Sequence, residues 1–191
     1  LFHPRNSFNQ LTRNDFKVPV DESVHVGIRT YMRDKNYPTI IHFHGNAELA
    51  EEYQFFADIL HQNKINLICC DYRGYGHSNG QSLCSNLMDD SLKIFKYIKN
   101  HLKDNDYLET VFLMGRSLGS ASVLHITKHE TQDVNGLIIE SGFCSEQSLF
   151  ELFQINPASV NYQKPTDGFD NKTKISNYYG PLLIMHATAD H

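Results

Sequence analysis

Val111-Phe112-Leu113-Met114-Gly115-Arg116-Ser117-Leu118-Gly119 is the stretch that decides how this chain folds. Four apolar residues in a row read as a strand buried on both faces, and the periodicity from Leu118 to His129 predicts a helix. Between them Gly115-Arg116-Ser117-Leu118-Gly119 has the glycine spacing of a sharp strand-to-helix turn. The flanking glycines keep side chains away from Ser117, so its hydroxyl stands clear above the end of a sheet, where a serine can act as a nucleophile. The plainer alternative is a glycine-flanked turn whose serine caps the helix.

Outward from this turn, similar apolar runs recur as Thr39-Ile40-Ile41-His42-Phe43-His44, Asn66-Leu67-Ile68-Cys69-Cys70, Gly136-Leu137-Ile138-Ile139 and Pro181-Leu182-Leu183-Ile184-Met185. Such runs are what a parallel sheet covered on both faces requires. The alternating stretch from Val24 to Tyr31 reads as a half-exposed edge strand. Helical spacing links Tyr53, Phe56, Ala57 and Leu60 within 48–62, and Leu87, Ser91, Ile94, Phe95 and Ile98 within 87–102. Strands alternating with helices predict an α/β fold with a mainly parallel central sheet and helices on both faces. The 191 residues form one core, 1–191. Within it the stretch 144–170, broken by Asn156-Pro157, Lys164-Pro165 and Asp167-Gly168, reads as an inserted lid or cap.

Composition narrows the function classes. Apolar residues make up 40% of the chain, enough for a real core. Seventeen basic residues against 22 acidic ones give a net charge of −5 and a pI near 6.1. With no Lys/Arg block, neither nucleic acid nor an anionic membrane has an electrostatic footing. No apolar run reaches the roughly 18 residues that suggest a membrane span. The chain begins at Leu1 rather than Met, so an anchor or signal upstream stays open. Cys69, Cys70, Cys84 and Cys144 lack the spacing of a disulfide framework or zinc ribbon, which fits a reducing, cytoplasmic compartment.

A second chemical element is His44-Gly45-Asn46-Ala47, at the carboxyl end of an earlier strand, where ligands bind in open α/β sheets. Acyl transfer builds negative charge on a former carbonyl oxygen. The backbone N–H groups of Leu118 and Asn46 are the candidate oxyanion hole, with Gly45 allowing close backbone approach. His42 and His44 read as packing and hydrogen-bonding groups rather than metal ligands. Cys69 and Cys70 sit inside an apolar strand as buried thiols. Asp71 and Arg73 read as a structural pair holding the Gly74-Tyr75-Gly76 turn.

Taken together, His44-Gly45-Asn46-Ala47, Asp71-Tyr72-Arg73-Gly74-Tyr75-Gly76, Gly115-Arg116-Ser117-Leu118-Gly119 and Pro181-Leu182-Leu183-Ile184-Met185-His186 resemble an α/β-hydrolase of the serine-aminopeptidase type. The likeness spans nearly the whole chain. It implies the α/β-hydrolase fold and a serine hydrolase that cleaves a carboxylic ester, thioester or amide through an acyl-enzyme on Ser117, with no cofactor and no metal. Relatives include esterases, lipases and thioesterases, so the likeness leaves the small-molecule or acyl substrate unnamed. It also implies an acid after the strand ending at Met185, which assigns Asp190. Relatives usually carry Gly where Ala187 stands. Their chain order Ser, Asp, His puts the catalytic histidine, with a last strand and helix, beyond His191.

Glu140, ending its strand, is the competing acid, with a bond to nearby loop backbone as its plainer role. His191, His77 and the His125–His129 pair are poor stand-ins for the base. A sheet edge awaiting that last strand would also suit a homodimer. The rival reading is a non-catalytic protein of the same fold that binds a ligand or partner.

Overall fold

The apolar runs expected as strands all enter one sheet. β3 (Thr39–Phe43), β4 (Asn66–Cys70), β5 (Val111–Arg116), β6 (Gly136–Glu140) and β7 (Leu182–Met185) run parallel. β2 (His25–Tyr31) pairs antiparallel with β4, and β1 (Asp15–Pro19) antiparallel with β2. The order across the sheet is β1-β2-β4-β3-β5-β6-β7. The computed structural model describes residues 2–152, 154–160 and 168–188.

Strand alternation divides the core into two layers. Ile68 and Cys70 of β4 and Leu113 of β5 face one side, where α2 (Cys84–Asp104) lays down Ile94, Phe95, Ile98 and Leu102. α3 (Gly119–His129) adds Ala121, Val123 and Leu124 to that layer. Leu67, Cys69 and Met114 face the other side, against Ala57 and Leu60 of α1 (Gln54–Gln62), which a short 3₁₀ turn at Ala50–Tyr53 precedes. Burial pushes both the Cys69 and the Cys70 thiols up, so neither is a ready nucleophile. No helix among the described residues is long and apolar enough to cross a membrane.

Three expectations need correction. β2 is not an edge strand, because β1 lies outside it. Asp15, Lys17 and Pro19 hide β1 from an apolar-pattern reading, and charge and proline are what an edge strand tolerates. β7 reads as covered on both faces, yet all four of its residues are exposed, Ile184 to 55%, at the open sheet edge that the sequence does lead one to expect. Among the described residues its one strand partner is β6. Finally, Arg73 does not pair with Asp71; it makes a two-pronged bond to Asp90 of α2 at 2.6 and 2.8 Å.

Within 144–170 the chain forms α4 (Glu146–Leu152) and a 3₁₀ turn at Pro157–Val160. Phe150 and Phe169 are buried, and Phe169 packs edge-on against Phe143. α5 (Asn171–Ser176) then returns the chain to the sheet. Phe153, Tyr162 and the rest of 161–167 lie outside the described residues.

Sheet order places the site. From β3 the chain moves to β4 on one side, whereas β5 lies on the other, so the order reverses between β3 and β5. Ligands of open α/β sheets bind beyond the carboxyl ends of strands at such a reversal. There Phe43 is in register with Gly115.

Two measurements test this packing. A Cβ on Gly119 would lie 1.9 Å from the Phe43 carbonyl oxygen, so Gly119→Ala is expected to destabilise the fold by about 1–3 kcal/mol, read from the urea midpoint. His42, fully buried and packed at a tilt against the Tyr53 ring, has its pKa lowered by burial from 6.5 to about 3. The unfolded chain therefore binds the extra proton first, and stability falls as pH drops through the window from about 6.5 towards 3. The urea midpoint should fall between pH 7 and pH 4, and by less in His42→Phe.

Candidate active site

Ser117 occupies the turn between β5 and α3 with φ of +47°, a left-handed conformation that a non-glycine residue adopts at a cost of about 1–3 kcal/mol. Hydrogen bonds on both sides hold it there. Its N–H donates to the Glu140 carbonyl at 2.9 Å, and its carbonyl accepts from the Ser120 N–H at 3.0 Å and the Ser120 hydroxyl at 2.6 Å. The flanking glycines serve through close approach rather than through positive φ. A Cβ on Gly115 would meet the Gly119 carbonyl oxygen at 2.5 Å and Val123 Cγ2 at 2.6 Å, while one on Gly119 would strike the end of β3. The turn thus brings the first amides of α3, those of Leu118 and Gly119, to the sheet's carboxyl end. Amides in a helix's first turn have no partner within the helix and carry its positive dipole end.

The loop after β3 lies against this turn, since the Gly119 position also comes within 3.0 Å of the His44 carbonyl oxygen. The loop is tied down at every residue. His44 is fully buried; its Nδ1 lies 2.7 Å from the Gly45 carbonyl oxygen and its Nε2 3.1 Å from Asp71 Oδ1. Asp71 Oδ1 also accepts the Ala50 N–H at 2.9 Å, and the Tyr72 hydroxyl donates to the His44 carbonyl. The Gly45 N–H donates to Glu48 Oε2 at 2.7 Å. Asn46 Oδ1 accepts from the buried Tyr75 hydroxyl at 2.6 Å and from the His3 N–H at 2.9 Å. Ala47 is left-handed, with φ of +64°.

Glu48 joins the loop to the turn. Its Oε1 pairs with the Arg116 guanidinium, its Oε2 accepts the Tyr53 hydroxyl at 2.6 Å, and Arg116 Nε lies 3.5 Å from Glu140 Oε1. Burial works against the Arg116 charge, but Glu48 and Glu140 beside it hold its pKa above the ordinary arginine value. Among the described residues the Glu140 carboxylate is therefore engaged by Arg116 rather than by loop backbone, and it is the Glu140 carbonyl that serves the turn. Beside this network opens a cleft of about 560 Å³, walled by Tyr53, Phe55, Phe56, Met114, Arg116 and Met185 among others. Its mainly apolar wall suits the apolar part of a ligand.

The structure thus brings together Ser117, Leu118, Gly115 and Gly119 with His44, Gly45 and Asn46. Asp190 and His191 lie outside the described residues. No hydrogen bond to the Ser117 hydroxyl is present among the described residues. His42 packs on Tyr53, and His125 and His129 pack at a tilt against one another along α3 with ring centres 4.7 Å apart. The contacts that Glu48 and Tyr75 make with this loop are set by tertiary structure and leave no local pattern in the sequence.

The model of the serine aminopeptidase, S33 family matches residues 34–164. YfhR, an uncharacterized protein of Salmonella typhimurium, is 30% identical over 164 residues, 80% of this chain and 54% of YfhR. The lysophosphatidylserine lipase ABHD12 of Xenopus tropicalis is 30% identical over 177 residues, 81% of this chain and 43% of that protein. The chain therefore spans about half the length of the curated relatives it matches. Among solved structures, the Pyrococcus furiosus esterase Pf2001 covers 95% of this chain with a TM-score of 0.69 at 17% identity, over 76% of its own length. Est1E from Butyrivibrio proteoclasticus covers 91% with a TM-score of 0.65 at 14% identity, over 77% of its own length. Both likenesses concern the fold, and with the sheet order and the family match they establish that this chain belongs to the serine aminopeptidase S33 family of hydrolases, on an α/β-hydrolase fold.

Proposed function

We propose that the protein is a serine hydrolase in which Ser117 attacks the carbonyl of a carboxylic ester, thioester or amide and carries the acyl group as a covalent intermediate. The observation that carries this reading is the strained Ser117, set between close-packed glycines at the point where the sheet order reverses. An ester is the preferred substrate class, because the frog relative is a lipase and the two solved neighbours are esterases.

In the attack the Ser117 hydroxyl proton passes to a general base and Oγ bonds to the carbonyl carbon. Negative charge then develops on the former carbonyl oxygen. The Leu118 and Asn46 N–H groups meet that charge without reorganising, since both belong to segments held by several hydrogen bonds. The returning proton leaves with the alcohol, thiol or amine, and water repeats the sequence to free the acid. In this reading the base is a histidine supplied by sequence that follows His191 and oriented by Asp190, and 144–170 is the lid over the acyl group.

The test is labelling of the full-length natural protein with a fluorophosphonate, with the adduct mapped by mass spectrometry. A single adduct on Ser117, lost in Ser117→Ala, is the expected result. A folded protein that takes up no probe overturns the reading in favour of a binding protein. The hole has its own test. A Cβ on Gly45 would come within 3.0 Å of Glu48 Oε2, the group that holds the Gly45 N–H. Gly45→Val should therefore cut ester turnover about 10²-fold, as loss of one oxyanion donor does, with secondary structure by circular dichroism retained.

A further inference from the structure

The segment 3–9 lies as a strap across the two loops that hold the site. On one side it adds a short parallel bridge to the turn after β4: the Gly76 N–H donates to the Arg5 carbonyl at 2.8 Å and the Ser7 N–H to the Gly76 carbonyl at 3.2 Å. On the other side it grips the loop after β3. The His3 N–H donates to Asn46 Oδ1 at 2.9 Å and to Tyr75 Oη at 3.0 Å. Arg5 reaches farther into the loop. Its Nη1 donates to the Ala47 carbonyl at 2.7 Å, and its guanidinium makes a two-pronged bond to Glu52 at 2.8 and 3.2 Å. Glu52 in turn accepts the Leu49 N–H at 2.9 Å. Ser7 and Asn9 add bonds to Glu51 at 2.8 and 3.0 Å.

Two features separate this arrangement from ordinary surface packing. Ala47 is left-handed, which a residue with a Cβ sustains only when its surroundings determine it, and the one side chain bonded to its carbonyl among the described residues is Arg5. Arg5 and Glu52 are also 49% and 42% exposed. Ion pairs that exposed contribute little to folding stability, so a change at Arg5 can be read for its effect on the loop with the fold intact.

We propose that Arg5 is a positioning residue for the hydrolytic reaction: it locks Ala47 in its left-handed turn and so fixes the Asn46 N–H where the oxyanion forms. The strap touches no reacting atom, and Arg5 acts through Ala47. A donor displaced by a fraction of an ångström loses its value at the transition state while substrate binding is barely altered, so the effect falls on kcat rather than on KM. This inference rests on the oxyanion role given above to Asn46.

The experiment uses Arg5→Gln in the full-length protein, with three readouts. For a chromogenic short-chain ester, kcat should fall about tenfold with KM within about twofold of wild type. The urea midpoint should stay unchanged. Hydrogen exchange followed by mass spectrometry should speed up in the peptide covering 45–49 and nowhere in the core strands. An unchanged kcat, or a loss that enters through KM or in step with a lowered urea midpoint, overturns the positioning role. A wild type that hydrolyses no ester and takes up no fluorophosphonate overturns the hydrolase reading itself, and with it the catalytic part of this proposal. A reactive wild type whose variant is equally reactive overturns the role of Arg5 alone.

Discussion

At Gly119 the first turn of α3 meets the carbonyl end of β3 with no side chain between them, and a single methyl group there would lie 1.9 Å from the Phe43 oxygen. This backbone-to-backbone approach sets the distance between two loops far apart in sequence. It requires β3 and β5 to be neighbours in register, which follows from the reversal in strand order. It also requires Gly115 to be bare, so that the helix can fold back over the strand that leads into it. The cost of the left-handed Ser117 is offset by bonds to Glu140 and Ser120, so the strained residue is held from both sides.

Everything around the loop after β3 acts in the same direction. Asp71 holds the His44 ring, Tyr72 the His44 carbonyl, Glu48 the Gly45 amide, Tyr75 the Asn46 side chain and Arg5 the Ala47 carbonyl. The polar groups of His44, Asp71, Tyr72 and Tyr75 are buried and costly unless they are satisfied, and satisfied networks impose a single geometry. A loop with one geometry is what electrostatic catalysis needs, because donors that must move to meet a developing charge lose most of their effect. The shared Glu48 carboxylate extends the network to Arg116, so the loop and the serine turn are joined by charge as well as by contact.

The sheet and the serine turn were legible in the sequence for a physical reason. Strands buried on both faces must be apolar throughout, which makes β3, β4, β5 and β6 stand out, and α2 follows from one apolar stripe that the structure extends slightly at both ends. β1 is invisible because an edge strand has no such requirement, and the faces of β7 read as covered because its residues are as apolar as those of the inner strands. Gly115 and Gly119 announce close backbone approach through their spacing, whereas a Cβ on Gly45 would meet only the Glu48 side chain. The ion pairs did not announce themselves. Arg73 chose Asp90 over Asp71, and Arg116 chose Glu48 and Glu140, because a charged partner is selected by position in space and not by distance along the chain. The grip of Arg5 on Ala47, 42 residues away, belongs to the same class.

The central claim is that the serine turn and the loop after β3 form one oxyanion site. A crystal structure of the full-length protein carrying a phosphonate on Ser117 tests it most directly. The account predicts one phosphonate oxygen at roughly 2.7–3.1 Å from both the Leu118 and the Asn46 backbone nitrogens. A phosphonate whose oxygens all point to solvent, with the Asn46 amide turned away, would contradict it.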